Sequence, residues 1–334
     1  MNVRRRPISA VALAAVTALG LSTLTACSSD SAAAGTTDKF DVVASFYPMA
    51  FLAERIGGEH VHVTSLTEPG QEPHDLEISA HQMGELEKSD AALYLKGLQP
   101  AVDKAVGLAE VSTKIDAAEL TTLETHGTEV GGHEDGHGDE HAHEDEHAHE
   151  DEHGHDHDHE GGADPHIWLD PVKYAEVAEG VGKAFQKADP DHAADYRKNT
   201  ETLVGDLKAL DEKFRTGLAD RRTDVFLTTH AAFGYLAERY GLTEEAISGL
   251  DPESEPSGAR MKELQEIAKA DGVTTVFYET LVSDRTAKTL AADVGLKTDV
   301  LDPVEGITDH SRGEDYLQVM EANLTALRTA LGAR

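Results

Sequence analysis

Histidines recur at spacings of two or four residues between positions 133 and 160, where the chain reads HEDGHGDEHAHEDEHAHEDEHGHDHDHE. Neutral imidazole binds borderline divalent metals, and the interspersed carboxylates add negative charge around such an ion. No apolar residue larger than alanine occurs here, so the segment cannot pack a core. We therefore predict a mobile, metal-collecting loop, the alternative being a solvated acidic spacer. Its candidate accessory ligands are His133, His137, His141, His143, His147, His149, His153, His155, His157 and His159.

Three histidines outside this segment stand where predicted strands end. His74 closes the turn-rich stretch EPGQEPH, which follows a strand pattern at 61–66. His166 lies in DPHIWLDP at 164–171, where two Asp-Pro units stiffen the backbone beside the chain's only tryptophan. His230 follows the strand pattern VFLT at 225–228 and precedes a helix pattern. Histidines that merely begin or cap a helix are the alternative interpretation of His74 and His230.

Three imidazoles from separate strand ends predict a metal site that is rich in nitrogen ligands. Zinc takes four ligands in a closed site and keeps one position open in a catalytic site. The presence of a fourth protein ligand therefore decides between binding and catalysis. The remaining histidines outside the segment include His60, His62, His81, His192 and His310, which lie among polar residues and are expected to face solvent.

Alternating strand and helix patterns must position these histidines. Strands are predicted over 40–45, 61–66, 91–95, 225–228, 273–278 and 299–301, and helices over 47–57, 79–88, 101–108, 231–240, 261–270, 286–294 and 316–331. Such alternation is typical of α/β folds with parallel sheets. A long amphipathic stretch at 191–218 predicts a helix that joins two lobes. The pentapeptides FLAER at 51–55 and YLAER at 235–239 favour two similar lobes that face a ligand cleft, unless their likeness is a chance match.

The first 27 residues predict export from the cytoplasm. Arginines at 4–6 precede an apolar run at 8–21 that is too short to span a membrane, and LTAC ends at Cys27, the chain's only cysteine. This pattern resembles a bacterial lipobox, in which an acylated Cys27 would anchor the protein to the outer face of the cytoplasmic membrane. An ordinary cleaved signal is the alternative. Because the chain has one cysteine, it can form no internal disulfide.

The sequence predicts the domain boundaries, and its net charge excludes some classes of partner. The predicted parts are a signal peptide at 1–27, a flexible tether at 28–38, an N-terminal α/β lobe at 39–188 with a disordered loop at about 126–162, a linking helix at 189–220 and a C-terminal α/β lobe at 221–334. The formal net charge of -34 argues against nucleic acid and anionic lipid as partners and favours cations.

Five motifs together resemble the zinc-binding, ZnuA/AdcA-like solute-binding lipoproteins of bacterial metal ABC importers. The motifs are PGQEPHDLE, DPHIWLDP, TTHAAFGYLAERYGL, VFYETLVSDRTAKTLA and LDPVEGIT, spread over nearly all of the chain from about residue 40 to 334. The resemblance implies two Rossmann-like α/β lobes with parallel sheets, a long rigid helix between them and a metal in the inter-lobe cleft. The acidic, histidine-rich insertion also stands where the family places it.

Carried over by motif, the resemblance makes His74, His166 and His230 metal ligands. LDPVEGIT places Glu305 as the fourth, with Asp302, Glu279 or a water as alternatives. A histidine at position 230, where manganese-preferring relatives often have glutamate, indicates Zn²⁺ rather than Mn²⁺. The resemblance further implies a monomeric, lipid-anchored, extracytoplasmic binding protein, not an enzyme, that delivers zinc to an ABC permease with a cytoplasmic ATPase. A zinc hydrolase and a metal-binding surface adhesin are the alternatives.

Overall fold

The computed structural model describes residues 39–126 and 163–334. The predicted signal peptide, the tether, Cys27 and the ten histidines of the segment 133–160 lie outside these residues. Within the described ranges, no helix is both long and apolar enough to cross a membrane.

Four parallel strands form the first sheet, in the order β2-β1-β3-β4. Their bounds are β1 Phe40–Ala44, β2 Val61–Ser65, β3 Ala91–Tyr94 and β4 Thr113–Asp116. The sequence patterns predict the first three, while β4 is a short edge strand with only half of its residues buried. The apolar runs of β1 and β3 are buried between helices, as a parallel sheet requires.

The second sheet repeats this arrangement, in the order β6-β5-β7-β8. Its strands are β5 Val225–Thr228, β6 Thr243–Ala246, β7 Thr275–Tyr278 and β8 Lys297–Val300. The patterns miss β6, whose sequence TEEA contains two glutamates and has little β-propensity. Equivalent strand orders confirm the predicted α/β fold with two parallel sheets, and each sheet presents the carboxyl ends of its strands as a binding edge.

Helices cover both sheets at positions close to those predicted. The nine in the described residues are α1 Tyr47–Gly57, α2 Ala80–Leu86, α3 Pro100–Leu108, α4 Pro171–Ala188, α5 Ala193–Gly217, α6 Gly234–Tyr240, α7 Gly258–Ala270, α8 Arg285–Val294 and α9 Tyr316–Leu331. The patterns miss α4 altogether. They also start α6 three residues too early, because the residues after His230 form a turn before the helix begins.

The long helix between the sheets is α5, and it is shorter than predicted. It begins at Ala193 because Pro190–His192 forms a separate 3₁₀ turn. It packs along α4, and the two helices lie close together at Gly182, where an added Cβ would lie 2.2 Å from Thr200 Oγ1. Glycine is therefore required at this crossing.

One apolar core runs continuously from the first sheet to the second. It contains residues of β1, β3, β5 and β7 together with α1, α4, α5 and α9, and a smaller core lies on the far side of each sheet. Burial of apolar surface is the main stabilising term in folding. A shared core therefore holds the two sheets in a fixed relation, and with them the strand ends that carry the predicted ligands.

Candidate metal centre

Four of the side chains singled out from the sequence meet between the two sheets. The Nε2 atoms of His74, His166 and His230 lie 3.3, 3.4 and 3.7 Å from Glu305 Oε1. One ligand atom from each residue lies within 4.8 Å of all the others. Two ligands bound tetrahedrally to zinc at about 2.0–2.1 Å are roughly 3.3 Å apart, so a Zn²⁺ ion fits this central cluster with small adjustments.

Each of the two α/β lobes contributes two of these four side chains. His74 lies on the loop after β2, and His166 on the segment that leads into α4. His230 directly follows β5, and Glu305 lies beyond β8. Because both sheets direct the carboxyl ends of their strands to this place, residues more than 200 positions apart become neighbours.

Buried carboxylates orient two of the imidazoles. Asp164 Oδ1 lies 2.7 Å from His166 Nδ1, and Glu279 Oε1 lies 2.8 Å from His230 Nδ1. Such a contact fixes the tautomer and directs Nε2 towards a metal. Both Nε2 atoms are buried, and neither has a hydrogen-bond partner among the described residues. Buried polar atoms without partners are uncommon, and here a metal ion would satisfy them.

Glu305 is held by a strained loop. The preceding Val304 has φ of 59°, a conformation that β-branched residues rarely adopt, and such strain costs about 1–3 kcal/mol. Two buried hydrogen bonds fix the backbone just before Val304, because Trp168 Nε1 donates to Pro303 O at 2.7 Å and Asn323 Nδ2 donates to Asp302 O at 2.6 Å. The strain is thus concentrated where the carboxylate meets the histidines.

The other two candidates for a fourth ligand have different contacts. Asp302 accepts hydrogen bonds from Val304 N at 2.8 Å and from the Thr280 hydroxyl at 3.1 Å, so it stabilises the turn before Glu305. Glu279 holds the outer nitrogen of His230, as described above. The geometry therefore selects Glu305 over Asp302 and Glu279 as the carboxylate that faces the three Nε2 atoms.

Neighbouring charges shift the pKa values of the cluster in opposite directions. Burial alone would lower the pKa of His166, but the hydrogen bond to Asp164 and the charges of Asp164 and Glu305 raise it to about 9. Burial opposes ionisation of Glu305 as well, yet the three imidazoles that surround its carboxylate hold its pKa well below the usual range. Protons on imidazole therefore balance the carboxylates where a metal cation would otherwise do so.

Buried contacts tie the two sheets together around the cluster. Asp170 Oδ2 accepts hydrogen bonds from Arg239 Nε at 2.8 Å and Nη2 at 2.6 Å, and Asp170 Oδ1 also caps α4. Tyr316 donates to Trp168 O at 2.5 Å. The motif DPHIWLDP thus supplies a candidate ligand, the tautomer-fixing carboxylate and two of the contacts that bind the lobes to each other.

Two residues near the cluster carry no obvious signal in the sequence. Glu72 is partly buried, accepts a hydrogen bond from His74 N at 3.0 Å, and has its pKa raised to about 8 by burial and by Glu305. His126, which falls at the edge of the predicted loop, bonds to Asp164 Oδ2 at 2.9 Å. The solvent-facing prediction is wrong for His60, whose side chain is only 21% exposed because its ring stacks on that of His192 at 4.0 Å.

Two parallel-sheet lobes with three imidazoles and a carboxylate between them define a class of protein, the two-lobed α/β binding proteins with a metal-type site at the lobe interface. A family model described as "Zinc-uptake complex component A periplasmic" matches residues 42–330. The chain belongs to this family, which confirms the resemblance drawn from the five motifs.

Similar proteins carry zinc-related names. The chain is 34% identical over 311 residues to the zinc-binding lipoprotein AdcA of Streptococcus pneumoniae. The aligned region covers 91% of this chain and 58% of that protein. The chain therefore spans little more than half the length of that relative. It is 33% identical over 300 residues to the high-affinity zinc uptake system protein ZnuA of Bacillus subtilis, covering 88% of both proteins.

Solved structures of similar proteins confirm the fold. The Zn(II)-bound ZnuA-like domain of Streptococcus pneumoniae AdcA superposes with a TM-score of 0.68 at 31% identity, covering 88% of this chain and 99% of that one. The laminin-binding protein Lmb of Streptococcus agalactiae, described as having adhesin and metal transporting activity, gives a TM-score of 0.72 at 28% identity, with 87% and 99% covered.

Proposed function

We propose that this protein captures Zn²⁺ outside the cytoplasmic membrane and delivers it to an ABC permease with a cytoplasmic ATPase. The observation that carries the proposal is the central cluster, in which His74, His166, His230 and Glu305 converge with Nε2 atoms that a metal would satisfy. Family membership supports the transport role, since the family model describes a component of a zinc-uptake complex.

Ligand chemistry favours zinc as the cargo. Three imidazole nitrogens and one carboxylate suit zinc, whereas manganese prefers more oxygen ligands. His74, with 13% of its side chain exposed, is the most accessible of the four, and the other three are at least 98% buried. Zinc would therefore enter beside His74, with His166, His230 and Glu305 already in position.

The same geometry argues for binding rather than catalysis. A closed set of three histidines and one carboxylate leaves no metal position for a reactive water. Glu279 Oε1 contacts Nδ1 of His230, the ring nitrogen that does not face Glu305, so this oxygen lies on the side of the imidazole away from the metal position. Measurable turnover of ester or phosphoester substrates by the zinc-loaded protein, abolished in His230→Ala, would establish the hydrolase alternative instead.

A lipid on Cys27 would keep the binding protein next to its permease. In this proposal the acylated protein is a monomer tethered through residues 28–38 to the outer face of the membrane. In this proposal the histidine-rich segment 133–160, whose sequence predicts no packed core, collects zinc at several weak sites. Such sites bind weakly because each binding event must order the chain.

Growth under zinc limitation tests the transport role. A strain that lacks this protein should grow poorly when zinc is chelated, and excess zinc should restore growth. Wild-type protein and the control variant His81→Ala, altered at an exposed histidine on α2, should complement the strain, and His230→Ala should fail although it is exported to the same level. Full complementation by His230→Ala would refute the proposal.

Surface adhesion is the second candidate, because structural neighbours include proteins named for laminin binding, such as Lmb. Immobilised laminin and the purified protein distinguish the two roles. Saturable binding to laminin together with normal zinc-limited growth of the deletion strain would favour adhesion, whereas a growth defect without laminin binding would favour transport.

A further inference from the structure

A second group of potential ligands lies beside the central cluster, at the foot of the segment 127–162. Glu238 Oε2 lies 2.9 Å from His126 Nε2, and Glu124 Oε2 lies 3.9 Å from the same nitrogen. One ligand atom from each of the three residues lies within 4.8 Å of the other two. We call this group the loop-base cluster. It shares no ligand with the central cluster, and its residues are partly buried or exposed.

The fold orients the His126 ring from two sides. Asp164, whose side chain is fully buried, lies 2.9 Å from His126 Nδ1, while the Tyr235 ring meets the imidazole edge-on at 4.5 Å between centroids. Gly234 makes room for the ring, because a Cβ there would lie only 2.4 Å from His126 Cβ. A carboxylate on one ring nitrogen leaves the other aimed at a metal position, which is the arrangement that histidine ligands usually show.

Glu124 is also held in place. Its Oε1 pairs with Lys173 Nζ at 2.7 Å, and its backbone N–H donates to the Tyr235 hydroxyl at 2.8 Å, which in turn donates to Asp164 O at 2.8 Å. These contacts leave Glu124 Oε2 on the side of His126. The carboxylates of Glu124, Asp164 and Glu238 surround the His126 ring, and the only ammonium group paired with them in these contacts is that of Lys173. When the imidazole is neutral, two negative charges remain, which a divalent cation would balance.

We propose that Glu124, His126 and Glu238 form a second binding site for a divalent transition-metal ion of the zinc type, with water completing its coordination. The observed separations of 2.9 and 3.9 Å bracket the roughly 3.3 Å expected between two zinc ligands. This site binds more weakly than the central cluster, because it has one nitrogen ligand instead of three and because Glu238 is 61% exposed.

The two sites are joined by one side chain. Asp164 bonds to His166 through Oδ1 and to His126 through Oδ2, so a single buried carboxylate orients a ligand in each cluster. The loop-base cluster is therefore linked to the central cluster through the Asp164 side chain. Two of its residues, Glu124 and His126, also come shortly before the histidine-rich segment in the sequence. Zinc at this weak site would be separated from the central cluster by the Asp164 carboxylate and the His126 and His166 rings that it contacts.

Histidine-resolved NMR of the full chain, titrated with zinc alone, tests the second site without interference from the segment 133–160. The His126 signal is assigned as the one missing from His126→Gln. The first equivalent of zinc should shift the signals of His74, His166 and His230, and further zinc should then shift His126 in a separate phase. A His126 signal that is unchanged at saturating zinc would overturn the proposal, while the first phase would still report on the central site.

Two variants sharpen the test. Glu238→Gln, a conservative change at an exposed side chain, should weaken the His126 phase by at least about tenfold and leave the first phase unchanged. Glu85→Gln is the matched control, because Glu85 lies 3.4 Å from His81 on α2, a pair with 81% of the imidazole exposed and without the Asp164 contact. A His126 phase that Glu238→Gln leaves intact would contradict the assigned ligands.

Discussion

The central and loop-base clusters both place a histidine against Asp164, yet they differ in how firmly their other ligands are held. In the central cluster, His166, His230 and Glu305 are almost fully buried, and Glu305 is fixed by a loop pinned through Trp168 and Asn323. In the loop-base cluster, Glu238 projects from a helix surface with 61% of its side chain exposed. We therefore expect the central cluster to bind zinc more tightly, because its ligands are buried and fixed in place and because it offers three imidazoles instead of one.

Loss of a central ligand should have the largest effect. His230→Ala removes one of three nitrogen ligands and should reduce zinc affinity by on the order of 100-fold or more, beyond the 10–100-fold typical for loss of a supporting partner. A competition titration against a zinc chelator measures the change, with His81→Ala as the control. Unchanged affinity in His230→Ala would show that the tight site lies elsewhere.

Changes to the supporting carboxylates should separate the two clusters. Glu279→Gln should lower zinc affinity at the central cluster by about 10-fold, because the amide supports the His230 tautomer less well. Asp164→Asn should lower affinity at both clusters, since one carboxylate orients both His126 and His166. Titrations that follow His126 and His166 separately measure both effects, and an Asp164→Asn variant that alters only one cluster would refute the shared support.

Stability should depend on pH in opposite ways without and with zinc. His126 and His166 have pKa values raised to about 9 from an ordinary 6.5, so their protonated forms stabilise the metal-free fold below pH 6.5. That contribution is lost as pH rises through about 9, and the unfolding temperature of the metal-free protein should fall over this interval. Zinc needs neutral imidazole, so the rise in unfolding temperature on adding zinc should grow over the same interval.

Thermal unfolding at a series of pH values, with and without saturating zinc, checks both trends. His166→Gln should flatten the decline of the metal-free protein. A zinc-induced shift that shrinks between pH 6.5 and pH 9 would contradict the assignment of imidazole ligands.

Removal of the histidine-rich segment should have the smallest effect on the tight site. A variant in which a short glycine-serine linker replaces residues 133–160 should keep one tight zinc equivalent and lose the additional weak ones. We expect the fold to tolerate this deletion, because Asp164 N donates a hydrogen bond to Glu124 O at 2.8 Å and so holds together the chain on either side of the deleted residues. Calorimetry counts the equivalents, and loss of the tight one would place the specific site within the segment.

Sequence patterns located most of the fold because its buried strands and amphipathic helices follow simple periods. They missed β6, where Glu244 is tolerated in an edge strand because it accepts hydrogen bonds from Thr228 Oγ1 at 2.8 Å and Phe233 N at 3.0 Å. That compensation comes from tertiary contacts, which the local pattern does not contain. The start of α5 was placed two residues too early, because Pro190–His192 forms a 3₁₀ turn that leads directly into the helix at Ala193.

The ligand positions were predictable to different degrees. His74, His166 and His230 follow strands or sit in rigid motifs, so their place at one edge could be inferred from the chain. The choice of Glu305 over Asp302 depends on the left-handed backbone of Val304, which turns one carboxylate inward while Asp302 closes the turn. His126 was missed because its partners, Asp164 and Glu238, lie 38 and 112 residues away.

The central claim is that His74, His166, His230 and Glu305 hold the tightly bound zinc. Anomalous X-ray diffraction at the zinc edge, from crystals of protein given one molar equivalent of zinc, tests it most directly. We predict one dominant zinc position, about 2.0–2.2 Å from the Nε2 atoms of the three histidines and from a carboxylate oxygen of Glu305. Zinc bound elsewhere, with Glu305 still in direct contact with the histidines, would contradict the account.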